Sequence, residues 1–71
     1  MSDVLIIEGE YIRLGDALKC AGLCATGGEA KLAVQEGRVY VDGCVVYERG
    51  RKLKPGRLMR YRGKSVRIAQ G

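Results

Sequence analysis

The spacing of the hydrophobic positions changes once along the chain, from a helical to an extended period. Ahead of the helical part, the aliphatic run Val4–Ile7 has the β-branched content of a strand that is buried on at least one face. From Tyr11 onward apolar residues recur at helical spacing, and Gly22 is a suitable helix stop. The central stripe, with i, i+3, i+4, i+7 spacing, consists of Leu14, Ala17, Leu18 and Ala21. This pattern predicts a first helix that starts near Tyr11 and ends at Gly22.

A second helix is predicted from Thr26 to Gly37. Thr26 is a good N-cap, and Glu29 follows at the spacing of a capping box. The apolar stripe of this helix consists of Ala30, Ala33 and Val34, with Leu32 beside it. With a connection of about three or four residues, the two helices would form a helix–turn–helix-like hairpin.

After Gly37 the period becomes two, which is typical of strands. Asp42-Gly43 is a strong hairpin-turn signal between the first two of these strands. The predicted strands are Val39–Val41, Cys44–Tyr47, Leu58–Tyr61 and Ser65–Ile68, and Leu53 is predicted to enter the core. The chain is therefore predicted to fold as one α+β domain over residues 1–71, with two helices packed on a small antiparallel sheet.

Composition narrows the possible functions. The chain has 71 residues and no histidine, so it lacks the commonest general base and the commonest metal ligand. The three cysteines, Cys20, Cys24 and Cys44, are too few for a usual zinc site and odd in number for a disulfide framework. We therefore expect packing thiols, no metal, no cofactor and no catalytic residue. With no apolar run of membrane-spanning length and no signal pattern at Met1–Asp3, we expect a cytoplasmic protein.

Charge is divided unevenly along the chain. Residues 1–36 carry three Lys or Arg against six Asp or Glu, a net of −3. Residues 37–71 carry ten Lys or Arg against two Asp or Glu, a net of +8. A strongly basic half favours a polyanion as partner, since neutralised phosphates release their condensed counterions.

Three segments follow one another in the order Arg13–Lys19, Thr26–Lys31 and Glu36–Gly43, and Arg49–Leu53 and Pro55-Gly56 come after them. The order of these segments resembles the alpha-L RNA-binding domain, the S-four family, in its small free-standing branch. The resemblance implies a two-helix alpha-L hairpin on a curved antiparallel sheet of about four to five short strands. It also implies a monomer that binds ribosomal or transfer RNA, in the setting of the bacterial ribosome or its assembly and rescue pathways.

The candidate RNA-binding residues are cations and the start of the second helix. Three cations lie close together in the loop Glu48–Lys52, where phosphate contact would offset their repulsion. The start of the second helix offers free backbone N–H groups and glycines that permit close approach. The full set is Arg13, Lys19, Thr26, Gly27, Lys31, Arg38, Arg49, Arg51 and Lys52.

Two alternatives to RNA binding stay open. Members of the family often have Ser-Arg where this chain has Thr26-Gly27, and Glu48 stands where a basic residue is frequent, which favours an accessory protein-interaction domain. DNA binding through the helical hairpin is the weaker alternative, because the second helix is poor in base-reading Arg, Asn or Gln. Among the tyrosines, Tyr40, Tyr47 and Tyr61 can stack on bases, although they more often cover the rim of a small core.

Overall fold

A computed structural model describes residues 2–71. Two helices and seven strands are found in this part of the chain. In chain order they are β1 (Ser2–Ile7), β2 (Ile12–Arg13), α1 (Leu14–Cys20), α2 (Gly27–Gln35), β3 (Val39–Val41), β4 (Cys44–Val45), β5 (Lys52–Leu53), β6 (Leu58–Tyr61) and β7 (Lys64–Gln70). The α+β class and the helical hairpin on a sheet are confirmed.

The main sheet has five strands in the order β1-β7-β6-β3-β4. Its pairs are antiparallel except β1 with β7, which is parallel. The sheet is therefore mixed, and the expectation of a purely antiparallel sheet was wrong in this one pair. A tight hairpin joins only antiparallel neighbours, whereas β1 and β7 lie far apart along the chain, so no turn dictates their direction.

The start of the first helix differs from the sequence prediction. Ile12 and Arg13 form a short strand that pairs with β5, and α1 begins at Leu14. Arg13 has extended backbone angles, φ −78° and ψ 147°, and no side-chain cap hydrogen bond. Pairing with a segment distant in sequence therefore overrides the helical spacing, a signal that is purely local.

The connection between the helices is longer than expected. It covers residues 21–26, because the chain folds back under α1 instead of turning directly into α2. Gly22 has φ +75°, and the N–H groups of Leu23 and Cys24 both donate to the carbonyl of Leu18, at 3.0 and 3.1 Å. This return buries Cys24 in the core.

The second helix follows its sequence signals closely. The N–H of Glu29 donates to Oγ1 of Thr26 at 3.1 Å, as the capping-box spacing predicts. The carboxylate of Glu29 accepts from the N–H of Ala25, at 3.2 Å. At the other end, Gly37 has φ +72°, the left-handed conformation that often follows a helix.

A single cluster of buried hydrophobic residues lies between the helices and one face of the main sheet. No polar or charged side chain is buried in the part of the chain that the structure describes. Both helical stripes contribute, through residues such as Leu14, Leu18 and Val34, and Leu53 enters the core as predicted. Tyr61 is buried, whereas Tyr40 and Tyr47 are 42% and 64% exposed. Partial exposure of this kind is compatible with a position at the rim of the core.

The hairpin between β3 and β4 turns at Asp42 and Gly43, which both have positive φ, at 52° and 84°. This is the conformation that Asp-Gly favours in two-residue hairpin loops. Strand β4 is shorter than predicted, and after Val45 the chain leaves the sheet toward β5.

The helices found in residues 2–71 are all too short to cross a membrane.

Candidate nucleic-acid interface

The segment between β4 and β5 is held against the start of α1 by its backbone. The N–H of Leu14 donates to the carbonyl of Arg51 at 2.8 Å, and the N–H of Gly15 donates to the carbonyl of Arg49 at 3.0 Å. These N–H groups belong to the first turn of α1, where a helix provides no partner for them. The basic segment therefore replaces a conventional cap and is fixed beside the helix.

Gly15 determines where the side chain of Arg49 lies. A Cβ atom at Gly15 would be 2.5 Å from Cγ and 3.0 Å from Cδ of Arg49. Because glycine lacks this atom, the aliphatic stem of Arg49 lies directly on the first turn of α1. Its guanidinium is thereby brought to the surface of the helical hairpin.

The result is a surface groove of about 340 Å³, which we call the cation groove. Three cations from three different elements line it: Arg13 from β2, Lys19 from α1 and Arg49 from the β4–β5 segment. Its other lining residues are Gly15, Asp16, Gly27, Ala30 and Gly50. Four of the residues selected from the sequence, Arg13, Lys19, Gly27 and Arg49, are thus brought together.

Asp16 was not among the candidate residues selected from the sequence. The structure adds it to the groove wall, where it is the single acid in the lining. Asp16 and Lys19 both belong to α1, where residues three apart lie on the same face of the helix. The carboxylate lowers the net positive charge of the groove without cancelling it.

The start of α2 forms one side of the cation groove. Gly27 lines it, and a Cβ atom there would meet nothing within 4 Å, so the backbone is accessible. Thr26 is exposed and its hydroxyl accepts the capping hydrogen bond, which fixes the first turn of α2. The hydroxyl can still donate to an anion, but its observed contact is structural.

Lys52 extends the basic surface beyond the groove. It lies opposite Arg13 in the β2–β5 pair, and like charges placed directly opposite each other are unfavourable. Nζ of Lys52 lies 4.9 Å from the centroid of the Tyr11 ring, a cation–π contact that partly offsets the repulsion. Two adjacent cations of this kind are well placed to share an anion.

The remaining candidates are less closely associated with the groove. Lys31 is exposed on α2, one helical turn after Gly27, and the side chain of Arg51 is exposed beside the docked backbone. Arg38 is separate from them. Its Nε lies 3.2 Å from Oε1 of Glu36, and its side chain lines a second groove on the main sheet.

The second groove has a volume of about 550 Å³ and lies on the outer face of the main sheet. We call it the sheet groove. Its lining residues are Arg38, Tyr40, Gly43, Leu58, Arg60, Tyr61, Arg62, Gly63 and Ser65. Arg60 and Arg62 were not among the candidate residues selected from the sequence.

The cysteines do not form a cluster with other ligands. Cys20 and Cys44 are exposed, and Cys24 is buried, which raises the pKa of its thiol; nearby Glu29 raises it further and Arg62 lowers it. Within residues 2–71, no group of three or more Cys, Asp or Glu side chains is arranged to hold a metal ion.

Comparisons of sequence and of structure with known proteins both find the protein YbcJ. The protein YbcJ of Escherichia coli (strain K12) is 36% identical over 58 residues, which are 82% of this chain and 83% of that protein. The solution structure of YbcJ matches with a TM-score of 0.69 and 32% identity, covering 96% of this chain and 85% of that chain. That structure is described as revealing an alpha-L motif involved in RNA binding.

A larger protein matches over one part only. The tyrosine–tRNA ligase of Ralstonia nicotianae (strain ATCC BAA-1114 / GMI1000) is 34% identical over 58 residues, which are 82% of this chain but 15% of the ligase. The likeness therefore concerns one segment of the ligase. A family model described as the S4 domain matches residues 5–69, nearly the whole chain. The chain belongs to the S4 domain family.

Proposed function

We propose that this chain is a non-catalytic module that binds structured RNA, ribosomal or transfer RNA, by gripping phosphates in the cation groove. The observation that carries the proposal is the convergence of Arg13, Lys19 and Arg49 beside the open backbone of Gly27. Likeness to YbcJ, whose structure is described as containing an RNA-binding motif, supports the same class of partner.

The chemistry of the groove suits phosphate. Arginine presents a planar fork of N–H donors that matches two phosphate oxygens, and lysine adds a mobile point charge. The partner's shape is expected to matter more than its sequence, because phosphate contacts fix position without reading bases. The cytoplasm and the ribosome, with its assembly and rescue pathways, are the proposed setting.

Several features favour RNA over duplex DNA. A helix that reads the major groove needs side chains able to contact base edges. The exposed residues of α2 include Lys31, Leu32 and Gln35, with no arginine or asparagine in the helix. The basic surface lies instead where α1 meets the β4–β5 segment.

Direct competition between nucleic acids tests the proposal. A labelled transfer RNA or ribosomal RNA fragment is bound to the protein and displaced with unlabelled RNA or duplex DNA of equal charge. We expect RNA to compete much more strongly, and the triple variant Arg13→Gln, Lys19→Gln, Arg49→Gln to lose most of its affinity. Equal competition by DNA, or undiminished binding by the triple variant, would overturn the proposal.

An accessory protein-interaction domain is the second candidate, favoured by Val4 and Ile6, which are 61% and 58% exposed on the edge strand β1. Exposed apolar side chains on an edge strand are typical of surfaces that bind other proteins. Absence of RNA binding by the wild type, together with recovery of a protein partner that Val4→Lys abolishes, would favour this candidate instead.

A further inference from the structure

We propose that the sheet groove is a second nucleic-acid site, in which Tyr40 stacks on an unpaired base and Arg60 contacts the adjoining phosphate of single-stranded RNA. The inference rests on the proposed function for the class of partner. It assigns a separate surface to the single-stranded part of that partner.

The sheet register places these side chains together. Tyr40 lies opposite Arg60 in the β3–β6 pair, and Arg60 lies opposite Ser65 in the β6–β7 pair. Directly opposed residues project from the same face of a sheet, with Cβ atoms about 5 Å apart. Neighbouring Val39 and Met59, one position along their strands, point inward and are fully buried. The row of Tyr40, Arg60 and Ser65 therefore faces solvent.

The charge of the groove is suited to an anion. Three arginines line it, and within residues 2–71 its lining contains no Asp or Glu. Arg38 is paired with Glu36, whereas no ion pair within the described part of the chain involves Arg60 or Arg62. Neighbouring Arg57, by contrast, is engaged by Asp42 at 2.8 Å. The guanidinium of Arg62 lies over the Tyr61 ring, 5.3 Å from its centroid, so Arg60 is the better placed of the two to contact phosphate.

Tyr40 provides the second kind of contact. Its side chain is 42% exposed in a small protein that otherwise buries Tyr61 from the same region of the sheet. An aromatic ring on an open sheet face, flanked by cations, is the arrangement with which many proteins bind single strands. A paired base offers no free face to such a ring, so the expected ligand is unpaired RNA.

Two probes separate this site from the cation groove. The first is a single-stranded oligouridylate of about eight nucleotides, and the second is a blunt RNA duplex of about 16 base pairs. Tyr40→Leu removes the ring but keeps an apolar side chain, and Tyr40→Phe keeps the ring. Tyr47→Leu is the matched control, because Tyr47 is also exposed but does not line the groove.

We expect Tyr40→Leu to bind the oligouridylate about tenfold more weakly and the duplex within about twofold of wild type. Tyr40→Phe and Tyr47→Leu should match wild type on both probes. Arg60→Gln should reproduce the selective loss. This second variant keeps the test valid if Tyr40→Leu fails to fold, which thermal unfolding will show.

The outcomes distinguish the two proposals. The sheet-groove site is overturned if the wild type does not bind the oligouridylate. It is also overturned if Tyr40→Leu and Arg60→Gln bind the oligouridylate as tightly as the wild type does. Equal losses on both probes also overturn it, because they indicate a general structural effect. Failure to bind any structured RNA, combined with Tyr40-dependent binding of the single strand, overturns the proposed function while the sheet-groove site stands.

Discussion

At the scale of single residues, the position of one cation in the cation groove depends on the lack of a side chain at a neighbouring glycine. Arg49 reaches the groove because Gly15 leaves room for its stem on the first turn of α1. In an ordinary helix, replacing glycine by alanine is stabilising by about 0.5–1 kcal/mol. Here the added methyl group would displace a cation from the groove.

Gly15→Ala is therefore expected to weaken RNA binding severalfold while leaving the free energy of unfolding nearly unchanged. The higher helix propensity of alanine stabilises the folded state, whereas the close contact with the flexible Arg49 side chain destabilises it. Fluorescence anisotropy with labelled RNA measures the first quantity and urea unfolding measures the second. In an Arg49→Ala background the same substitution should change affinity no further, and an equal loss there would show that Arg49 is not the intermediary.

Asp42 ties the β3–β4 turn to the start of β6. Its carboxylate accepts from Nη1 of Arg57 at 2.8 Å and from the N–H of Leu58 at 3.1 Å. The hydrogen bond from the Arg57 side chain is the main reason that the pKa of Asp42 is lowered, and the Leu58 N–H is the next. The folded state thus favours the charged carboxylate.

The pKa of Asp42 in the folded state lies below the unfolded value of about 3.9. The stabilisation by its charged carboxylate is therefore present above pH 4 and is lost as the pH falls through the folded pKa. Asp42→Asn keeps the turn conformation but cannot titrate. We expect its free energy of unfolding to fall less than that of the wild type between pH 5 and pH 2. Parallel urea titrations at several pH values check this, and identical pH profiles would contradict it.

At the scale of elements, the helices and turns were predictable because their signals are local. The stripe of α1, the cap at Thr26 and the Asp42-Gly43 turn each depend on residues close together in sequence. The β2–β5 pair was missed because it joins distant segments and interrupts a helical pattern. Arg13 and Lys19 could be selected from the sequence as cations, whereas their convergence with Arg49 depends on the β2–β5 pair and on backbone hydrogen bonds to α1.

The capped start of α2 supports both the fold and the groove. Thr26→Ala removes the acceptor for the Glu29 N–H, and we expect a loss of about 1 kcal/mol in the free energy of unfolding. Thr26→Ser keeps the acceptor and should lose much less. Chemical denaturation followed by circular dichroism distinguishes the two, and equal stability of Thr26→Ala and wild type would contradict the capping role.

At the scale of the whole molecule, cations line two separate grooves, the cation groove and the sheet groove. The molecule measures 30 × 22 × 20 Å, which is several times the Debye length of about 8 Å at physiological salt. The attraction of a polyanion to each groove therefore comes mainly from the cations of that groove. Phosphate contact in the cation groove predicts a specific dependence of that attraction on salt.

The salt dependence of RNA affinity tests the central claim most directly. The slope of log K against log salt is measured for the wild type and for the triple variant Arg13→Gln, Lys19→Gln, Arg49→Gln. The control is the double variant Lys54→Gln, Lys64→Gln, whose replaced side chains line neither groove. Phosphate binding in the cation groove predicts that the triple variant loses about one unit of slope per replaced cation, while the control changes little. A triple variant with the wild-type slope and affinity would contradict the account.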